Sequence, residues 1–350
     1  VASDLSGGLA DDREYVFATQ PDDPEMRESV NAWVWGSGDE VGMPRIGVEA
    51  VADQWDTHDV QVNVACADGR VYTLHATGAV HDPLGSDGRP RTLGAGPLAF
   101  ELVEPFRHWR MRLDGLAHAT TAGDQVHSRQ PEGEPTVGVR AEVDIVAAVP
   151  PWENGGLLPE ARRVLEEQDE GALMGGPRFE QLSRATGTLR IGDAEHPIDG
   201  GALRVRRRGV RRLGTFRGHA WQSALFPSGR AFGYIAYPPR DDGLPTYNEG
   251  YVYEPGGDGT LTPARVIQAP WLSKLQHRGE DVPVVLETVS GTTTRIAAES
   301  LVSCFTVMGG IGPGTQGYPV LQQAIACFTW DGETANGMME RSLPGNLLAP

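Results

Sequence analysis

The sequence is poor in cysteine, nearly free of lysine and without a long apolar run. Its three cysteines, Cys66, Cys304 and Cys327, each sit in or near a strand-like segment, and none forms a CxxC pair. A disulfide framework and zinc-ribbon spacing are therefore excluded, and three buried thiols in a reducing, cytoplasmic setting are expected. Lys274 is the single lysine, a bias read as genome composition rather than mechanism. No apolar stretch approaches the roughly 20 residues that a membrane-spanning helix needs. The opening VASDLSGGLADDREY has neither a basic start nor an apolar core and reads as no signal peptide. Net charge is −17, which argues against nucleic acid or an anionic membrane as partner.

Motifs for bound groups are missing as well. The nine histidines never fall as HxH or HxxxH, and no HExxH or GxSxG occurs. The run GGIGPGTQG at 309–317 lacks the GxxxxGK[ST] order, contains Pro313 and leads into a strand, so it reads as a structural loop. Neither a metal nor a cofactor is expected.

What the chain does have is turn chemistry, with 45 glycines and 26 prolines. Val30–Gly36 alternates so that Trp33 and Trp35 share a face, and Val60, Val62 and Val64 alternate before an Asp68-Gly69 hairpin turn. Further strands are expected at 98–103, 106–115 and 136–149. After Pro150-Pro151, the stretch 158–173 is the one clear helix. Hairpin grammar then resumes at 185–191 and runs to the end. The fold class is all-β: two antiparallel β-barrel domains, 1–150 and 178–350, joined by a linker at 151–177 with one helix. Arg204, Arg206 and Arg208 in RVRRRGVRR share a face and read as a charged edge strand; anchoring an anionic substrate group is the second reading.

The stretch from Phe216 to Tyr253 concentrates groups able to do chemistry. Alternation places His219 beside Trp221, an arrangement in which an imidazole can act as acid or base near neutral pH. Glu249 lies in a wall of Tyr247, Asn248, Tyr251 and Tyr253, where burial raises a carboxyl pKa and suits it to proton donation. The candidate catalytic residues are His219, Glu249, Asp56 and Tyr247. Trp33, Trp35, Trp55, Trp109 and Trp221, with Gln222, Asn248 and Tyr251, are candidates for a substrate pocket. Each tryptophan taken singly also reads as core, and Glu249 also reads as a surface residue opening a strand.

In FRHWRMRLDG (106–115), GHAWQSALFPSGRAF (218–232) and ACFTWDGETANGMMERS (326–342), the sequence resembles the lipocalin-like superfamily of carotenoid 1,2-hydratase, kievitone hydratase and AttH-type proteins. The resemblance implies two lipocalin-like (calycin-type) barrels and cofactor-independent chemistry on a hydrophobic terpenoid, polyketide or steroid-like substrate. Two readings stay open. One is a lyase or isomerase, most concretely a hydratase/dehydratase. The other is a non-catalytic carrier of a hydrophobic small molecule. The sequence is compatible with a homodimer.

Overall fold

The computed structural model describes residues 4–129, 131–168, 171, 174, 176–212, 217–257, 259–307 and 319–344. The glycine-rich run at 309–317 and Phe216 lie outside the described residues. Eleven strands form the first sheet: β1 (Arg27–Gly36), β2 (Val41–Val51), β3 (Thr57–Cys66), β4 (Arg70–Ala79), β5 (Thr92–Ala95), β6 (Leu98–Glu104), β7 (His108–Thr121), β8 (Val137–Ala147), β9 (Trp152–Glu153), β10 (Arg178–Ile191) and β11 (Ala194–Gly209). They run in the order β4-β3-β2-β1-β11-β10-β8-β7-β6-β5, with β9 a spur on β10. The far half of β7 also pairs with β4, from Arg70↔Thr121 to Thr73↔His118. That pairing joins the path back on itself, so β1–β4, β7, β8, β10 and β11 form a ring.

The second sheet is a closed antiparallel barrel of β12 (His219–Leu225), β13 (Ala231–Ala236), β14 (Asn248–Tyr253), β15 (Thr262–Gln268), β16 (Val284–Thr288), β17 (Thr293–Thr306), β18 (Pro319–Trp330) and β19 (Glu333–Pro344). Its ring closes where β19 pairs with β12, from His219↔Ser342 to Ala224↔Gly337. The fold is all-β, as the alternation and turn signals indicate. The Asp68-Gly69 turn joins β3 to β4 as expected, with Gly69 at φ +88°, a conformation that favours glycine. Among the described residues, no helix is long and apolar enough to cross a membrane.

Strand period sorts the side chains into three cores. Val30, Ala32, Val34, Ile46, Val48, Val60, Val62 and Val64 fill the first ring. Ala220, Ala224, Phe232, Tyr234 and Met339 fill the second. The alternate positions Trp33, Trp35, Leu203, Trp221, Ile235 and Met338 face the other way and make a third core between the barrels. The linker packs into that third core through Trp152, Leu158, Ala161 and Val164. Its helix α1 (Pro159–Glu167) starts with proline in the first turn, where the missing N–H has no intrahelical partner to lose. Asn63 Nδ2 of the first barrel donates to Gln323 Oε1 of the second at 3.0 Å, and Asn336 Nδ2 donates to Gly36 O at 3.0 Å.

Strands β10 and β11 depart from expectation. Placed in the second barrel on sequence grounds, they instead pair with β8 and β1 of the first. Ala185, Leu189, Ile198 and Ala202 face the first interior, and the hairpin supplies the last two strands of that ring. The changeover between barrels follows Gly209 rather than preceding residue 178. The arginines of β11 do not line a solvated edge either. Arg204 and Arg206 are buried, paired with Glu14 and Glu28 at 2.6 and 3.0 Å. The lead-in before β1 thus packs into the first barrel, where its Glu14 meets Arg204 and its Val16 joins the core.

Candidate active site between the barrels

Where the two outward faces meet, a cavity of about 90 Å³ remains. The first barrel contributes Trp33 and Arg45 from β1 and β2, and Arg178, Val205 and Arg207 from β10 and β11. The second contributes His219 and Trp221 from β12, Ile235 from β13 and Glu340 from β19. Arg211 and Tyr237 complete the part of the wall that carries the argument. Trp33 and Trp221 meet edge to face with ring centroids 4.7 Å apart, so each barrel supplies half of the aromatic floor.

His219 is held at both ring nitrogens. Nε2 lies 3.1 Å from Glu340 Oε1, and Nδ1 lies 2.6 Å from Ser342 Oγ. Glu340 and Ser342 are alternate residues of one strand, so β19 presents both to the same face. Burial pushes the Glu340 carboxyl pKa up, but the hydrogen bond and charge of His219, then Arg45 and Gln323, pull it down to about 2. With Glu340 ionised, Nε2 carries the proton. Ser342 then donates to Nδ1 of a neutral ring or accepts from Nδ1 of a charged one. Either way His219 keeps both partners, so its ring is fixed on the cavity wall.

The rest of the wall is basic. Arg178 stacks on Trp221, its guanidinium carbon 4.6 Å from the ring centroid, and pairs with Glu180 at 2.8 Å. Trp221 Nε1 donates to Glu180 Oε2 at 2.9 Å. Burial raises the Glu180 pKa, with Arg178 opposing it. Arg207 is lowered well below the ordinary guanidinium value by burial and then by neighbouring Arg211. Arg45 sits at φ +76° in a β2 irregularity between Gly42 and Ile46, a left-handed conformation unusual for a side chain of this size. Two buried donors of the wall, Trp33 Nε1 and Arg45 Nε, have no hydrogen-bond partner among the described residues.

The profile of the family described as "Domain of unknown function (DUF7064)" matches residues 11–344. The chain belongs to this family. Solved structures share its fold at low identity. CghA, solved with Sch210972, superposes with a TM-score of 0.55 at 11% identity, covering 97% of each chain. An AttH-like protein from Nitrosomonas europaea gives 0.51 at 14% identity, covering 95% of this chain and 99% of that one. Kievitone hydratase from Nectria haematococca gives 0.49 at 10% identity, covering 97% and 96%. No curated protein matches in sequence. The resemblance to AttH-type proteins thus holds at the level of fold.

Of the residues singled out from sequence, this member of the family brings His219, Trp33 and Trp221 together at the cavity. The others lie elsewhere. Trp35 lines a separate surface pocket with His196, and Trp55 packs against His58, centroids 5.3 Å apart. Trp109 is inside the first barrel, where its indole N–H donates to Glu14. Gln222 is buried inside the second, accepting from Tyr234 Oη at 2.8 Å and donating to Val282 O at 3.1 Å. Asn248 Nδ2 donates to Val266 O, and its Oδ1 accepts from Val266 N–H, both at 2.8 Å. Tyr251 packs on Trp152, centroids 5.7 Å apart, and burial raises its hydroxyl pKa. Asp56 is exposed in the turn before β3.

Glu249 is fully buried and surrounded by donors. Trp152 Nε1 and Gly155 N–H reach Oε2 at 2.8 and 2.6 Å, and Tyr247 Oη reaches it at 3.0 Å. Leu157 and Leu158 N–H reach Oε1 at 2.9 and 2.7 Å. An oxygen pair accepting five bonds has no spare geometry for an O–H, so the arrangement fits an acceptor and not a proton donor. Tyr247, expected to orient substrate, is committed to the same carboxylate. Together they anchor the turn that starts α1, where an anion also favours the helix N-terminus.

Sequence reasoning missed Glu340, Ser342, Arg45, Arg178 and Glu180. One signal was available: Pro44 inside a strand-like run marks a bulge, and the residue after it is Arg45.

Proposed function

We propose that the protein is a cofactor-independent lyase or isomerase, most concretely a hydratase/dehydratase, acting on a hydrophobic unsaturated substrate whose reacting end enters the cavity between the barrels. The observation that carries this reading is His219 on the cavity wall, held between Glu340 and Ser342 and facing Trp33 and Trp221. In the hydration direction, water adds to the far carbon of a double bond conjugated to a carbonyl while neutral His219 takes up its proton. The charged ring then gives a proton to the carbon next to the carbonyl, with Glu340 offsetting the ring's charge in the intervening state. The two indole faces do not serve a carbocation here, because Arg178 and Arg45 already lie over them. A wall of guanidiniums favours negative charge developing on a conjugated oxygen instead, as in an enolate.

Support comes also from the segments that resemble the hydratase superfamily, and from the shared fold of CghA, which was solved with Sch210972. The test is to identify a hydrophobic compound that co-purifies with the protein, then incubate it in heavy-oxygen water with wild type and His219→Ala. Label incorporated by wild type and lost in the variant supports the reading. Tight binding with no label and no change in the compound, even with wild type, makes the protein a carrier.

A further inference from the structure

We infer that the cavity between the barrels recognises an organic carboxylate, held by Arg45, Arg207 and the indole N–H of Trp33, with its apolar body on Trp221 and Ile235. This rests on the reading that the cavity is the reactive site, and it narrows the substrate to an anion.

The first argument is how the charges are shared. Four guanidiniums, of Arg45, Arg178, Arg207 and Arg211, line the cavity. Arg178 is matched closely by Glu180. Arg207 shares Glu49, at 3.3 Å, with Arg27, which holds the other oxygen at 2.5 Å. Arg45 approaches Glu340 only to 3.9 Å, and that carboxylate already serves His219 and Gln323. In a chain of net charge −17, this is a concentrated positive site with carboxylates divided among several cations.

The second argument is the pair of orphaned donors. Trp33 Nε1 and Arg45 Nε are buried without partners among the described residues, and buried polar hydrogens are ordinarily bonded. An acceptor in the cavity satisfies them. Third, Arg45 is held at φ +76°, and strain of that kind gathers where a side chain must point in one direction. The shape selects among anions. Planar guanidinium forks beside flat indole faces match a flat carboxylate, and about 90 Å³ takes the acid group with a few attached carbons.

The test is calorimetric titration of the full chain with benzoate, its neutral isostere benzamide and inorganic phosphate at one ionic strength. Benzoate is expected to bind, benzamide to bind roughly tenfold more weakly or worse, and phosphate not to displace benzoate. Arg207→Gln and Arg45→Gln are expected to weaken benzoate by roughly tenfold or more. Trp33→Phe keeps the packing and deletes the donor, so it serves if an arginine variant does not fold; it is expected to weaken benzoate measurably. No binding of benzoate, equal binding of benzamide, displacement by phosphate, or unchanged affinity in the folded variants overturns the inference. Because binding is read without turnover, benzoate recognition with no oxygen labelling removes the hydratase reading alone. Labelling of a substrate with no benzoate recognition removes the carboxylate alone.

Discussion

Trp33 of the first barrel and Trp221 of the second stand edge to face, their ring centroids 4.7 Å apart. Both are almost fully buried, and they tie the floor of the cavity to the docking of the barrels. Trp221→Ala is expected to cost about 3–5 kcal/mol, the usual range for emptying a large buried aromatic site. A double-mutant cycle with Trp33→Ala should return a coupling of about 0.5–1.5 kcal/mol for the ring pair. Urea denaturation of the four proteins measures it, and additive losses contradict a direct contact.

Glu340 gives a prediction in pH. Its folded pKa of about 2 lies below its ordinary value of 4.5, so the unfolded chain takes up this proton first as pH falls. The carboxylate's contribution is therefore complete above about 4.5 and is lost between there and about 2. The shift corresponds to roughly 3 kcal/mol for a group this deeply buried. Glu340→Gln should lack that part of the acid dependence. The stability difference between wild type and variant should shrink as pH drops through this window, and a constant difference contradicts the assignment.

Arg45 separates strain from charge. Arg45→Gly and Arg45→Ala both delete the guanidinium, but only glycine accepts φ +76° without a Cβ penalty. Arg45→Gly should be more stable than Arg45→Ala by about 1–2 kcal/mol, measured by thermal or chemical denaturation. Equal stabilities mean that the backbone at Arg45 is relaxed.

For Glu249, the five donors around its carboxylate predict a stability effect. Glu249→Gln turns one acceptor oxygen into a donor that faces N–H groups, at a cost of about 2–4 kcal/mol. The loss should appear in denaturation midpoints. A variant as stable as wild type contradicts the anchoring role.

Much of the fold was legible because strand period and turn residues are local. The alternation of Val60, Val62 and Val64, the Asp68-Gly69 turn and the shared face of His219 and Trp221 all follow from neighbours in sequence. What was not legible depends on pairing across long separations. Strand β11 closes a ring with β1, Arg27 opposite Gly209, and no local signal distinguishes that partner from a strand of the other barrel. The cavity suffers the same limit: Glu340 reaches His219 only because β19 returns to pair with β12. Glu249 was correctly placed among aromatic residues. Its donors came from the linker, at Gly155, Leu157 and Leu158, and they decide that its environment is saturated rather than reactive.

The most direct measurement is a crystal structure of the protein carrying its co-purifying hydrophobic compound. The account predicts density in the cavity between the barrels, with a polar atom of the ligand within hydrogen-bond reach of His219 or the neighbouring guanidiniums. Density inside either closed ring, or in the outer pocket beside Trp35 and His196 with the interbarrel cavity holding only solvent, would contradict it.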